Sequence, residues 1–291
     1  MNLTDVIIIG GGPAGVTAAL YTSRAGFNTT ILYRDFGALK KAQVENFYGH
    51  MQISGAELVK IGLMQAKKVG AKLVKTEALS ISPVADMHTV ATIKESYTAR
   101  AVLIATGTSR VRPKIKGLSA LEGKGVSYCA ICDGFFHKGK DVAVLGSGAY
   151  ALHEAEDLLP IAKTVTLFTN GKKPTVEFPE EIHVRTEKIE EVCAQTNLLG
   201  TATLSGVQLA GGEIVNLSGL FVAIGVAGGT ELARKLGAVV ESNAISADED
   251  GRTTIPGLWA AGDCTGGLKQ IAKAVHEGAE AGTDIVKFLK R

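Results

Sequence analysis

Two short strands that each run straight into a glycine turn constrain the fold of this chain more than any other feature. Asp5 to Ile9 is an apolar, β-branched run. It meets Gly10-Gly11-Gly12-Pro13-Ala14-Gly15, and then Val16 to Ala25, an alanine-rich helical stretch. In a strand, G-x-G-x-x-G, helix unit the first glycine permits the tight turn. The second lets the backbone approach a pyrophosphate, and the third lets helix and strand pack closely. The pyrophosphate sits on the helix N-terminus, where backbone N–H groups lack partners. Thr29 to Tyr33 reads as the strand that closes the unit. The acidic residue expected at its end is replaced by Tyr33-Arg34, with Asp35 following. A glycine-rich turn without a ligand is the competing reading. The arrangement then recurs: Asp141 to Leu145 leads into Gly146-Ser147-Gly148-Ala149-Tyr150-Ala151, a helix through Leu159, and a strand over Thr164 to Phe168. The expected fold is α/β, with two doubly wound, Rossmann-like domains of three layers each.

Between the two units lies Cys129-Ala130-Ile131-Cys132-Asp133-Gly134-Phe135-Phe136. If a helix begins near Cys129, both sulfurs stand at its N-terminus, where free N–H groups and the helix dipole lower a thiol pKa. The thiolate is the species that attacks a disulfide, and Asp133 stands ready to move the proton. Half of a zinc site and a pair of buried small residues compete with a redox-active dithiol. A zinc site wants a second Cys or His pair at short spacing. Cys193 and Cys264 are single and distant, and no H-E-x-x-H occurs, so no metal is expected.

The chain has 291 residues, enough for about two domains. Hydrophobic residues make up 46% and charged residues 21%, as in globular proteins. The 35 glycines are clustered rather than periodic, which excludes collagen and linker readings. A net charge of +2 makes no case for nucleic acid or an anionic membrane. No apolar run approaches the ~18 residues of a membrane span. The first residues, Met1-Asn2-Leu3-Thr4-Asp5, carry no basic targeting stretch, and four cysteines are too few for a secreted disulfide framework. The expected location is the cytoplasm, where a C-x-x-C pair is catalytic or metal-binding more often than structural.

The remaining elements follow from periodicity and punctuation. Glu57 to Gly70 is an amphipathic helix, and residues 72–98 read as antiparallel strands. Ala101 to Ala105 is a buried strand ending in Thr106-Gly107-Thr108, a tight turn at the strand end where doubly wound sheets hold ligands. Pro113 and Gly117 mark a connector. Residues 181–219 read as strands of the second domain, and Leu220 to Ile224 as a buried strand followed by a hinge at Ala227-Gly228-Gly229. Leu258 to Ala261 leads to Gly262-Asp263 and a helix from about Gln270. Flavoproteins place a carboxylate for the ribityl chain at such a strand end. A turn or N-cap aspartate is the competing reading.

Taken together, these residues resemble the low-molecular-weight thioredoxin reductases, in order and over nearly the whole chain. The likeness rests on Gly10 to Gly15 with Pro13-Ala14, Val44-Glu45-Asn46-Phe47 followed by Ile53-Ser54-Gly55, and Ala105-Thr106-Gly107. It continues through Cys129 to Phe136, the second glycine motif, Ala261-Gly262-Asp263 and Lys269-Gln270-Ile271. The resemblance implies FAD held by Gly10, Gly12, Pro13, Ala14, Gly15, Asn46, Thr106, Gly107, Gly262, Asp263, Gln270 and Ile271. It implies a FAD domain over residues 1–112 and 226–291, an inserted domain over 113–225 bearing the dithiol, and a homodimer. By the same resemblance, Cys132 takes electrons from the flavin, Cys129 attacks the disulfide of thioredoxin, and Asp133 handles the proton. The inserted domain is expected to rotate on connectors near Arg112-Pro113 and Ala227 to Gly229.

The departures concentrate in the second unit. NADPH-using relatives end its second strand in a His-Arg-Arg run that grips the 2′-phosphate; here the positions are Thr169-Asn170-Gly171. Thr and Asn cannot reproduce the bidentate contacts of an arginine fork, and Lys172 and Lys173 offer point charges at most. Tyr150 brings bulk where a dinucleotide needs space. In the first half, the usual Gly-Gly-Gln-Leu turn reads Phe36-Gly37-Ala38-Leu39. Relatives that lack the pyridine-nucleotide motifs take electrons from reduced ferredoxin, and the chain is similar to these. The expected function is electron transfer through FAD and the Cys129–Cys132 dithiol to thioredoxin, with ferredoxin as donor. An NADPH- or NADH-dependent reductase with an altered site is one alternative. A flavin-binding redox sensor without turnover is another, and the intact C-x-x-C-D argues against it.

Overall fold

A computed structural model describes residues 2–34, 39, 42–107, 113–196, 200–225 and 227–291. Asp35, Phe36 to Ala38, Thr108 and Arg112 lie outside the described residues. The chain divides into two compact units, Met1–Ser109 with Gly228–Arg291, and Arg110–Ala227.

The first unit opens with β1 (Asn2–Leu3), β2 (Val6–Ile9), α1 (Pro13–Arg24) and β3 (Thr29–Tyr33). It continues through β4 (Gln43–Val44), β5 (Ile53–Ser54), α2 (Gly55–Lys68) and β6 (Lys72–Lys75), then β7 (Ala78–Val84), β8 (Met87–Thr92), β9 (Ser96–Ala99) and β10 (Ala101–Ile104). The second unit holds β11 (Val126–Ser127), α3 (Ala130–Asp133), β12 (Asp141–Leu145), α4 (Ala149–Leu158) and β13 (Thr164–Phe168). It also holds β14 (Ile182–Arg185), β15 (Ile189–Thr196), β16 (Ala202–Leu209), β17 (Ile214–Asn216) and β18 (Gly219–Val222). The chain then returns to the first unit with α5 (Gly229–Lys235), β19 (Val240–Glu241), β20 (Ala244–Ile245), β21 (Leu258–Ala260) and α6 (Ile271–Leu289).

Each unit is built on a five-stranded parallel sheet. The orders are β21-β10-β2-β3-β6 and β11-β18-β12-β13-β14. The fold is the expected one: α/β, Rossmann-like, with β2 and β12 each at the centre of a sheet. All four residues of β2 are buried, because a parallel strand covered on both faces must be apolar throughout. Val6, Ile8, Ile31, Leu103 and Trp259 anchor one core; Leu145, Phe168, Leu220 and Val222 anchor the other. A smaller antiparallel sheet accompanies each, β7 to β9 with β1 added in parallel, and β15 to β17.

Local chemistry sets the helices. Ser54 caps α2 by accepting the Glu57 N–H at 3.2 Å, and Lys67 and Lys68 complement the dipole at its other end. Pro13 opens α1 at a position where its missing N–H costs nothing. Helix α6 packs closely on α1 because Gly278 and Gly282 face it: a Cβ on Gly278 would stand 2.3 Å from the Ala14 carbonyl oxygen.

One local expectation is corrected. Lys72–Lys75 is a parallel edge strand beside β3, since a helical crossover separates the two. Ile182–Arg185, expected as a strand of the second domain, is the parallel edge strand beside β13. Gly228 and Gly229 open helix α5, directly after the boundary between the two units; Gly229 is buried where a Cβ would meet the Thr106 hydroxyl at 2.5 Å.

Candidate active site

The dithiol segment is a single helical turn. Cys129 and Cys132 form a disulfide with Cα atoms 5.3 Å apart. Cys129 is the N-cap of α3, and its sulfur accepts the Cys132 N–H at 3.2 Å. A helix of four residues has little macrodipole, so local N–H groups are what favour a thiolate here. Ser127 ties the turn to its carboxylate: its hydroxyl accepts the Cys129 N–H at 3.1 Å and donates to Asp133 Oδ2 at 2.6 Å. On the other side, Glu154 Oε2 accepts the Ala130 N–H at 2.7 Å, and the Tyr150 hydroxyl donates to the Tyr128 carbonyl at 3.2 Å. Cys129 is 4% exposed, whereas Cys132, Ile131, Phe135 and Phe136 are exposed. His137 follows in a 3-10 turn. Burial, and secondarily Lys140, pushes its pKa below the ordinary value, with Asp133 pulling the other way.

Sequence reasoning found both cysteines and Asp133 but missed Ser127 and Glu154. Glu154 stands one helical turn beyond Tyr150 on α4, and its partner, the Ala130 N–H, is 24 residues away in the chain.

The first unit gathers the remaining candidates. Gly10 has φ 126°, and a Cβ there would lie 2.1 Å from the Ala105 carbonyl oxygen, so the first turn abuts the end of β10. Gly12 is the N-cap of α1, with no side-chain cap, no acidic residue in the first helical turn, and open space where a Cβ would be. Pro13, Ala14 and Gly15 begin the helix. Thr106 has a buried hydroxyl without a hydrogen-bond partner among the described residues, and Gly107 follows at φ 68°. Gly262 lies against Ala14, a Cβ at Gly262 falling 3.1 Å from the Ala14 Cβ, and Asp263 opens a 3-10 turn after β21. Gln270 is the N-cap of α6, Ile271 its first residue, and Asn46 Nδ2 donates to Gln270 Oε1 at 3.0 Å. Glu277 accepts the Gly262 N–H at 2.7 Å and pairs with Lys273 at 2.7 Å. An uncapped helix N-terminus, a glycine cradle without side chains and a spare buried hydroxyl together suit a pyrophosphate.

The second glycine turn differs. A Cβ at Gly148, the N-cap of α4, would stand 3.2 Å from the Thr175 hydroxyl. Thr175 crosses the turn, its N–H donating to the Ser147 carbonyl at 2.8 Å. Tyr150 is 3% exposed. Beyond β13, Thr169 is buried, Asn170 spends its side-chain oxygen on the Ile189 N–H at 2.8 Å, and Lys172 and Lys173 are exposed. The first turn is open and the second is filled by the chain itself. Of the two remaining cysteines, Cys193 is half-buried and Cys264 is buried, which pushes the Cys264 thiol up to about 12.

A profile of the family described as "Pyridine nucleotide-disulphide oxidoreductase" matches residues 4–278. Thioredoxin reductase from Aquifex aeolicus is 35% identical over 305 residues, covering 98% of this chain and 93% of that protein. The chain belongs to the thioredoxin reductases of this family. Thioredoxin reductase from Listeria innocua serovar 6a is 33% identical over 302 residues, covering 99% of the chain and 95% of the relative. Among solved structures, the atypical thioredoxin reductase TRi from Desulfovibrio vulgaris Hildenborough superposes with a TM-score of 0.89 at 38% identity, over 99% and 98% of the two chains. A ferredoxin-flavin thioredoxin reductase from Clostridium acetobutylicum gives 0.71 at 28% identity, over 100% and 99%. The cofactor of this family of reductases is FAD, and the open cradle at Gly10 to Gly15 fits its pyrophosphate. Among the described residues no helix of this thioredoxin reductase is long and apolar enough to cross a membrane.

Proposed function

We propose that this thioredoxin reductase passes electrons through FAD and the Cys129–Cys132 pair to the disulfide of thioredoxin, and that its electron donor is reduced ferredoxin. The observation that carries the donor reading is the filled second glycine turn. Thr175 crosses the turn before α4, and Thr169-Asn170 stand where a 2′-phosphate clamp would be. Each lost charge-assisted contact is worth about 1.5–3 kcal/mol, so two of them weaken NADPH binding by roughly two to four orders of magnitude. The likeness to the ferredoxin-flavin reductase supports the same reading.

In the first unit, the α1 N-terminus and Gly12 would hold the pyrophosphate of FAD and Asp263 its ribityl chain, with Asn46, Thr106, Gly107, Gln270 and Ile271 lining the site. FAD supplies a centre that accepts electrons singly and releases them in pairs. The residues of the dithiol turn do the exchange. The Cys129 thiolate attacks a sulfur of the thioredoxin disulfide, and the other thioredoxin sulfur leaves and takes a proton. Cys132 then attacks Cys129 in the mixed disulfide, releasing the second thioredoxin thiol and restoring the Cys129–Cys132 bond. Asp133, oriented by Ser127, holds or yields the proton. Cys129 is buried in the present arrangement, so the assignment requires that it become accessible when thioredoxin engages. A homodimer, and division into a FAD domain and a dithiol domain turning on the connectors, belong to the same proposal.

The retained nucleotide-type strand order of the second unit and the uncapped α4 N-terminus favour a second reading, a nicotinamide-dependent reductase with an altered site. Anaerobic titration with NADH, NADPH and reduced ferredoxin separates the two. The expected result is bleaching of the flavin and thioredoxin reduction with ferredoxin alone. Thioredoxin-coupled NADPH oxidation with a micromolar KM would overturn the donor assignment.

A further inference from the structure

Helix α4 turns two polar side chains, one helical turn apart, onto the segment that carries Cys129. The Tyr150 hydroxyl holds the Tyr128 carbonyl just before the cysteine, and Glu154 Oε2 holds the Ala130 N–H just after it. Glu154 is 1% exposed, and a carboxylate is kept that far from water only where something holds it. Ala130 is the first residue of α3, so its N–H belongs to the group that would otherwise stabilise a thiolate at this end of the turn. Glu154 takes that donor and adds negative charge beside Cys129.

We propose that Glu154 is a positioning residue that opposes thiolate formation in the reduced Cys129–Cys132 pair and thereby keeps the dithiol strongly reducing. The physical basis is the link between thiolate stability and potential: a stabilised thiolate favours the reduced form and makes a couple oxidising, and an opposed thiolate does the reverse. A dithiol that must hand two electrons to another protein's disulfide gains driving force from the second condition. That benefit rests on the reading of the chain as a thioredoxin reductase; the chemistry at Ala130 does not. In the dinucleotide-type fold the N-terminal end of this helix is the anion site. Here the same helix grips the cysteines.

Other titratable groups face the turn as well. Asp133 is bonded to Ser127, and His137 and Lys140 follow α3. Glu122 accepts from the Tyr128 hydroxyl at 2.6 Å, and His153 and Asp157, 4.0 Å apart, share α4 with Glu154. Glu154→Gln is isosteric, keeps an acceptor for the Ala130 N–H and removes the carboxylate charge.

The test uses the full-length holoprotein. Two quantities are read: the pH dependence of iodoacetamide alkylation of the reduced pair, and its equilibrium with dithiothreitol, scored by mass spectrometry of the Cys129–Cys132 peptide. In Glu154→Gln the first thiol pKa is expected to fall by about one unit, with about tenfold more thiolate at pH 7 and an equilibrium moved about tenfold toward the dithiol. Tyr150→Phe, which cuts the neighbouring bond without changing charge, should leave both quantities within about twofold of the parent. Ala130→Pro deletes the N–H but keeps the carboxylate, at a helix position that accepts proline, and should move the pKa upward. Should Glu154→Gln fail to fold, this last variant decides alone. An unchanged pKa in Glu154→Gln, an equal shift in Tyr150→Phe, or an unchanged or lower pKa in Ala130→Pro overturns the assignment. No readout involves ferredoxin, nicotinamide or thioredoxin, so its failure is distinct from a failure of the proposed function.

Discussion

At the scale of single residues, Gly12 and Gly15 belong to one motif but fail differently when a methyl group is added. A Cβ on Gly15 would stand 2.0 Å from the Gly10 carbonyl oxygen and 3.0 Å from an Ile8 methyl, so backbone must move. A Cβ on Gly12 meets nothing within 4 Å of the described chain, and its φ of −81° suits alanine. Gly12→Ala is therefore expected to fold and to melt, without flavin, within a few degrees of the parent, yet to bind FAD at least about tenfold more weakly, because the methyl would occupy the pyrophosphate approach proposed above. Gly15→Ala should lower the melting temperature of the flavin-free protein itself. Flavin content after purification, and calorimetry with and without FAD, check both. The positions of these glycines were legible in the sequence because a turn followed by a helix leaves a spacing signature. Ser127 and Glu154 were not legible: their roles depend on hydrogen bonds to backbone groups 2 and 24 residues away, which no local pattern encodes.

Among the elements, the 3-10 turn Gly134–His137 carries a pH prediction. His137 sits edge-on to Phe221, rings 5.6 Å apart, with Nδ1 at 3.1 Å from the Ser218 hydroxyl. Burial lowers its folded-state pKa below the ordinary ~6.5. Between the two values the unfolded chain binds more protons than the folded one, so stability rises with pH across that interval. The second unit should lose stability as pH falls below about 6.5 and level off once the folded-state pKa is passed. Urea midpoints from pH 5 to 8 should show this slope, and His137→Gln should flatten it; an equal slope in the variant would mean that another group titrates. Elements with clear periodicity, such as β2, β3, β12 and β13, were found where the sequence put them. Of the others, β6 was read as antiparallel, and α5 was not read as a helix. A strand of Lys72-Leu73-Val74-Lys75 has no alternation that tells a parallel edge from a hairpin, and a helix of seven residues behind two glycines is too short to leave a clear period.

For the whole molecule, the family, the fold and the dithiol were readable because each rests on ordered motifs spread over most of the chain. The donor proposed above rests on a loss of charge at Thr169-Asn170, legible in the sequence, and on Thr175 crossing the second glycine turn, which the structure adds. The order of segments along the chain has a further consequence, for biosynthesis. Arg110–Ala227 is uninterrupted, whereas the other unit needs β21 and α6, which follow it. Chains grow from the N-terminus at about 5–20 residues per second, so the cysteine-bearing unit is complete while the central strand β2 still lacks the helix that will pack on α1. A nascent chain halted just after Ala227 should bury Cys129 within a folded unit while remaining unable to retain flavin. The cysteine pair is in place before the segments that complete the other unit have been made.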